Sequence, residues 1–235
     1  MSYQAILFDL DGTLLPMDQE VFTKGYFKAL ASVLCPMGLK ADALTAAVWA
    51  GTKAMVQNDG SRKNCEAFWE QFALALDCDT DKFRPVTDHF YTNEFHHAKA
   101  YTGENPLAVE AIRLAHEKAG KVILATNPIF PLSGQASRLG WIGLKPEDFD
   151  LVTSYESDSF GKPNPQYFTS ICERMELEPS NCLMIGNDEL EDMYAGSKAG
   201  LNCYLVKDWS IRSQEHPWEG ESGSFQEMVE MLRSL

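Results

Sequence analysis

Apolar and polar positions follow two different rhythms along the chain. Ala5-Ile6-Leu7-Phe8 is a short unbroken apolar run that stops at acids, the pattern of a strand buried on both faces. From about Asp18 to Ala100 no strand pattern recurs. Val21, Phe22, Tyr26, Phe27, Leu30 and Leu34 return at helical spacing, as do Leu44, Val48 and Met55 and, past a polar break, Phe68, Trp69, Phe72 and Leu76. This spacing predicts about four amphipathic helices. The break, Asn58 to Asn64, reads as a turn-rich loop between two of them. After Tyr101-Thr102-Gly103, helix and strand alternate. Helices are predicted over Pro106–Lys118 (ended by Gly120), Leu132–Leu139, Pro165–Met175, Glu189–Lys198 and Phe225–Leu232, and strands over Val122–Ala125, Phe149–Thr153, Cys182–Ile185 and Asn202–Val206.

Such alternation implies an α/β fold, a Rossmann-like parallel sheet covered on both faces. Both ends of the chain contribute to it. Residues 1–16 and 101–235 are expected to form this core, and 17–100 an inserted all-helical domain. No internal repeat or low-complexity tract interrupts the pattern.

Composition narrows the function classes. The 235 residues are 45% hydrophobic and 23% charged, which excludes a disordered chain. Lys+Arg number 20 against 34 Asp+Glu, a net charge of −14. A chain this acidic is expected to repel nucleic acid and anionic membranes. Small anionic substrates stay open, because a local cation or bound metal can reverse the sign within one cleft. No apolar run is long enough to span a membrane, and Met1 to Phe8 lacks the basic start of a signal peptide, so a cytoplasmic protein is expected. The six cysteines form no CxxC pair and are expected to be reduced thiols.

Polar residues collect at the predicted carboxyl ends of three strands: Asp9 and Asp11 after the first, Thr126 and Asn127 after the second, Asn187 and Asp188 after the Cys182–Ile185 strand. Ligands of open α/β sheets bind at that edge. Any one of these residues could be a cap or turn former. Three strands converging, with Lys162 added, point to a site.

These residues carry a resemblance. Asp9-Leu10-Asp11-Gly12-Thr13 after an apolar strand, then Thr126, then Lys162 in Gly161-Lys162-Pro163-Asn164-Pro165, then Gly186-Asn187-Asp188 leading to Asp192, resemble in order the motifs of the haloacid dehalogenase superfamily of phosphotransferases. The helical insertion resembles the α-helical cap of its phosphoglycolate phosphatase and β-phosphoglucomutase types. The resemblance implies a phosphatase acting on a small phosphorylated metabolite. Asp9 would be the nucleophile, forming an aspartyl-phosphate, and Asp11 the acid that protonates the leaving alcohol and then the base that activates water. Thr126, Asn127 and Lys162 would hold the phosphate. Mg²⁺ would sit on Asp9, the backbone carbonyl of Asp11 and Asp188. Many family members have Gly-Asp where this chain reads Gly186-Asn187. Asp188 is preferred as the ligand because a carboxylate binds Mg²⁺ better than an amide, with Asn187 the alternative and Asp192 supporting Lys162 or a metal-bound water. In the loop Asn58 to Asn64, Arg62 and Lys63 could meet a second anionic group of the substrate. A phosphomutase, a phosphonatase using Lys53 or Lys63, and a phosphate-binding protein with vestigial activity remain as alternatives, and the oligomeric state is open.

Overall fold

The computed structural model describes residues 3–235. Met1 and Ser2, part of the expected core segment and of the stretch read for a signal peptide, lie outside the described residues. Six strands, β1 (Tyr3–Phe8), β2 (Ala119–Leu124), β3 (Leu151–Val152), β4 (Cys182–Gly186), β5 (Asn202–Val206) and β6 (Ser222–Gly223), form one sheet in the order β3-β2-β1-β4-β5-β6. Every neighbouring pair is parallel. Between β1 and β2 the chain forms helices α1 (Gln19–Leu34), α2 (Ala41–Val56), α3 (Asn64–Leu76) and α4 (Arg84–Thr92). The α/β part adds α5 (Ala108–Lys118), α6 (Leu132–Trp141), α7 (Gln166–Met175), α8 (Ala195–Lys198) and α9 (Phe225–Ser234).

The pleat explains the apolar runs. Ile6 and Phe8 join Leu124 and Ile185 in a core against Ile112 of α5 and Met228 of α9. Ala5 and Leu7 join Ile123 and Met184 on the other face, against Phe168 and Ile171 of α7. With both faces covered, every residue from Ala5 to Phe8 is apolar and buried. Each fully buried Leu or Phe contributes about 1.5–3 kcal/mol.

Register places the site. Phe8 pairs with Leu124 on one side and Ile185 on the other. The Asp9 N–H donates to Ile185 O at 2.9 Å, and the Ala125 N–H to Phe8 O at 2.7 Å. The three central strands therefore end level, and their next residues emerge together. The sheet also changes direction of growth between β1 and β4, the switch point at which such sheets bind ligands.

The helical insertion leaves and rejoins the α/β part at one place. Met17 bridges Thr102 in antiparallel fashion, and the Gly103 N–H donates to Pro16 O at 2.7 Å. Asp18 starts α1 by accepting from the Val21 N–H at 2.9 Å. Aromatic rings then join the two parts: Phe95 stands 5.1 Å from Trp141 and Tyr26 5.5 Å from Phe130, centroid to centroid.

Several predicted boundaries are corrected. Gly120 does not end the helix before it. That helix stops at Lys118, and Gly120 lies inside β2, where a Cβ would come within 3.1 Å of Gln4 O. The Phe149–Thr153 strand shortens to Leu151–Val152. The Glu189–Lys198 helix divides into a π-helical turn, Glu189–Tyr194, and α8. β6 is too short and polar to show a strand pattern, and Glu94–Tyr101 forms a 3₁₀ helix without an α-helical apolar period. All six cysteines are unbridged. Among the described residues, no single helix is long and apolar enough to cross a membrane.

Candidate active site

A cavity of about 250 Å³ opens at the carboxyl edge of β1, β2 and β4, lined among others by Asp9, Asp11, Thr126, Asn127, Asp188 and Glu191. The turn after β1 builds its floor. Leu15 and Thr13 both return their N–H groups to Leu10 O, at 2.8 and 3.2 Å. Gly12 adopts φ +85°, and a Cβ there would lie 2.2 Å from Asn187 Nδ2, so only glycine fits. The tight turn holds Thr13 where its hydroxyl reaches Asp9 Oδ2 at 3.3 Å and Asn187 Oδ1 at 3.2 Å.

Lys162 is wholly buried and bridges two carboxylates, Asp9 Oδ1 at 2.9 Å and Asp192 Oδ1 at 2.6 Å. Burial alone would lower the lysine's pKa, but Asp192 and Asp9 more than offset it and hold the ammonium well above its ordinary range. Asp192 Oδ2 meanwhile accepts from the N–H groups of Asn187 and Asp188, both at 3.0 Å. The π turn is what lets one side chain do both: the Met193 N–H reaches back to Asp188 O at 3.1 Å, an i to i+5 bond that widens the turn. A Cβ on Gly186 would meet Asp192 Oδ2 at 2.2 Å, which accounts for the glycine ending β4.

Burial pushes the Asp9 carboxyl up to about 7; Lys162 pulls it back, while Asp192 and Asp11 add to the rise. Burial also raises Asp188. Asp188 Oδ1 accepts from the Leu190 and Glu191 N–H groups, each at 2.8 Å, and Oδ2 takes part in neither bond. Both ends of the Asn187 amide are engaged, Oδ1 by Thr13 and Nδ2 by Trp209 O at 2.7 Å.

The oxygen donors suit a hard cation. Asp9, Asp11, Asp188, Glu191 and Asp192 crowd one edge with Lys162 and Arg138 as the cations in contact with them. Among the described residues no three His, Cys, Asp or Glu side chains form a ready-made cage. Mg²⁺ needs no such cage, because it keeps water and substrate oxygens in its octahedron beside one or two carboxylates.

The structure thus brings together Asp9, Asp11, Thr126, Asn127, Lys162, Asn187, Asp188 and Asp192. The Asn127 side chain is committed to the Lys162 segment: its Oδ1 accepts from the Lys162 N–H at 3.2 Å and its Nδ2 donates to Glu191 Oε2 at 3.0 Å. Arg62 and Lys63 are not brought into the cavity. Arg62 pairs with Glu70, and Lys63 Nζ donates to Ser157 O at 2.7 Å. Their loop does reach the α/β part, through the buried Asn64. Asn64 Nδ2 meets Pro128 O at 3.2 Å and Phe160 O at 3.3 Å, and Asn64 Oδ1 accepts from Asn58 Nδ2 at 2.8 Å. Lys53 lies with Arg62 around a separate surface hollow.

Two residues at the site were not legible in sequence. Glu191 reads as one more helix acid. Arg138 reads as a helix surface cation, yet it is wholly buried against Asp11 and Gln135.

Beyond the site, the uncharged residues Tyr26, Phe68, Tyr91, Ile129, Phe130 and Tyr155 help enclose a smaller cavity of about 60 Å³ between the insertion and the α/β part. Ile129 lines both cavities.

Comparison with known proteins agrees with this geometry. A family model described as haloacid dehalogenase-like hydrolase matches residues 3–200. N-acetylmuramic acid 6-phosphate phosphatase of Pseudomonas aeruginosa is 24% identical over 223 residues, covering 92% of this chain and 87% of that protein. Phosphoglycolate phosphatase of Aquifex aeolicus is 28% identical over 208 residues, covering 86% and 84%. Among solved structures, the magnesium-bound HAD-hydrolase YfnB of Bacillus subtilis superposes with a TM-score of 0.61 at 20% identity, covering 99% of this chain and 100% of that one. The HAD phosphatase of Thermococcus onnurineus gives a TM-score of 0.62 at 19% identity, covering 97% of each chain. With the family's model spanning most of its length and its motif residues converging on one strand edge, the chain belongs to the haloacid dehalogenase-like hydrolases.

Proposed function

We propose that this phosphatase hydrolyses a small phosphorylated metabolite in two steps through an aspartyl-phosphate on Asp9, with Mg²⁺ as cofactor. The observation that carries the reading is the Asp9 carboxylate fixed between Lys162 and Thr13 at the switch point, with Asp11 and Asp188 on the same cavity wall.

Phosphoryl transfer asks for positioning and charge relief more than for covalent ingenuity. Lys162 and Thr13 orient Asp9 for in-line attack, and the Lys162 ammonium offsets charge gathering on the transferred group. Thr126, wholly enclosed at the end of β2, offers its hydroxyl to the phosphate oxygens. Asp11 gives a proton to the departing alcohol and later takes one from the water that cleaves the acyl phosphate. Asp9, the backbone carbonyl of Asp11 and Asp188 would hold Mg²⁺, which when bound neutralises phosphate charge and favours ionised Asp9. The free Oδ2 of Asp188 and the fully engaged amide of Asn187 support Asp188 as the ligand.

In this reading residues 17–100 act as the cap. The non-phosphate part of the substrate extends past Ile129 toward the uncharged aromatic cavity, so an uncharged leaving group suits it better than a second anion. That wall holds no amine for a phosphonatase, since neither Lys53 nor Lys63 lines either cavity.

Hydrolysis of p-nitrophenyl phosphate tests the assignment. Chelation is expected to abolish turnover and Mg²⁺ to restore it. Asp188→Ala is expected to raise the Mg²⁺ needed for half-maximal rate by ~10-fold or more, the order seen when metal coordination is disturbed. Asn187→Ala should raise it less. The reverse order assigns the ligand to Asn187, and turnover indifferent to chelation rejects the cofactor.

A further inference from the structure

We infer that Arg138, on α6, is a positioning residue for Asp11: it grips one carboxylate oxygen and leaves the other for the leaving group and then for water. The inference rests on the acid and base role proposed above for Asp11.

Arg138 is 0% exposed. Its two terminal nitrogens meet Asp11 Oδ2 and Gln135 Oε1, and its face lies 4.1 Å from the Phe130 ring centroid. Gln135 is itself pinned, donating from Nε2 to Thr153 O at 3.2 Å. A rigid helix thus presents a fixed cation to Asp11, which otherwise sits on a turn. Asp11 Oδ1, the oxygen Arg138 does not touch, is buried and has no hydrogen-bond partner among the described residues. Asp11 lines the catalytic cavity.

A structural role alone accounts poorly for this arrangement. Arg138 lies against Phe130, which packs on Phe95, as does Trp141 at the end of α6, so a large apolar side chain would be at home there. Replacing a buried ion pair by apolar groups is often neutral or stabilising. The cation here faces the carboxylate two residues beyond the nucleophile. A general acid works only when held close to its productive geometry, and Arg138 supplies that hold.

The leaving group separates positioning from stability. Benzyl phosphate and p-nitrophenyl phosphate present similar rings, but only the benzyl alkoxide needs a proton to depart. The value of kcat/KM reports the first step, which expels it. Arg138→Met is expected to lower kcat/KM for benzyl phosphate by ~30-fold or more, within the usual range for general acid catalysis, and that for p-nitrophenyl phosphate by under ~3-fold. Arg138→Lys should recover part of the benzyl phosphate rate. In an Asp11→Asn background, which itself should discriminate between the two esters, Arg138→Met should add almost nothing.

Equal losses on both esters in a variant that melts like the parent overturn the inference, as do additive losses in the double variant. Asp11→Asn without a preference for p-nitrophenyl phosphate overturns the role of Asp11 and the inference with it. If Arg138→Met does not fold, Gln135→Leu, which removes the second anchor of Arg138, should show the same bias at smaller size. An unbiased Gln135→Leu counts against the proposal.

Discussion

Glu191 opens on the same cavity as the nucleophile. Burial pushes its carboxyl up to about 8, with Lys162 pulling it down and Asp188, Asp192 and Asp9 pushing it up. An acid raised in the folded chain binds a proton there that the unfolded chain has lost, so stability is present at low pH and falls as pH rises from the ordinary glutamate range toward 8. Asp9, pushed up to about 7, acts in the same sense. Water in the cavity moderates both effects. In chelator, Glu191→Gln is therefore expected to raise stability at pH 8 by about 1–2 kcal/mol and to change it little at pH 4.5, a difference calorimetry at the two pH values would show. An equal shift at both would mean that the acid is not held protonated. Asp9, Asp11 and Lys162 were legible because their chemistry constrains residue type and spacing. Glu191 and Arg138 were not, because burial and partners over a hundred residues apart, such as Arg138 and Asp11, leave no local trace.

At the scale of elements, the Asn58–Asn64 loop was expected to reach toward the site through its cations, and it reaches the α/β part away from the cavity, through Lys63 on Ser157 O and through the buried Asn64 amide. Asn64 is 0% exposed and satisfies carbonyls from two loops of the core. Asn64→Ala would leave buried acceptors unpaired and is expected to cost about 1–3 kcal/mol, read from denaturant midpoints. A change within experimental error would mean the loop merely rests on the surface. Arg62→Ala with Lys63→Ala should leave catalysis nearly unaltered. The strands and long helices were legible from periodicity, since each buries a continuous face. The π turn was not, because residues 189–198 keep one helical pattern while a single extra residue, needed to carry Asp192 to Lys162, widens the first turn. β6 has two residues and too little apolar content to show itself.

Over the whole molecule, the net charge of −14 coexists with a site for anionic esters because the counter-charges are local: Lys162 within the core and, in the proposed mechanism, a divalent cation that Asp9 and Asp188 would hold. The parallel sheet and the helical segment between its first two strands could be read from the order of patterns, whereas the strand order that sets the switch point could not. The uncharged space beside Ile129 could not, since it forms only where α1–α4 meet the loops after β2 and β3. Thr52 of α2 also lines this space, and filling it with Thr52→Phe should lower kcat/KM for benzyl phosphate by ~10-fold while sparing small alkyl phosphates. In the proposed mechanism Asp9 itself accepts the phosphoryl group. Asp11→Asn treated with p-nitrophenyl phosphate and Mg²⁺ should accumulate that adduct, because the first step needs no acid and the second lacks its base. Borohydride reduces an acyl phosphate to an alcohol, so peptide mass spectrometry should find the Asp9 side chain converted to homoserine, and only when both substrate and Mg²⁺ were present. Release of p-nitrophenol with Asp9 unmodified, or with another residue reduced in its place, would contradict the account.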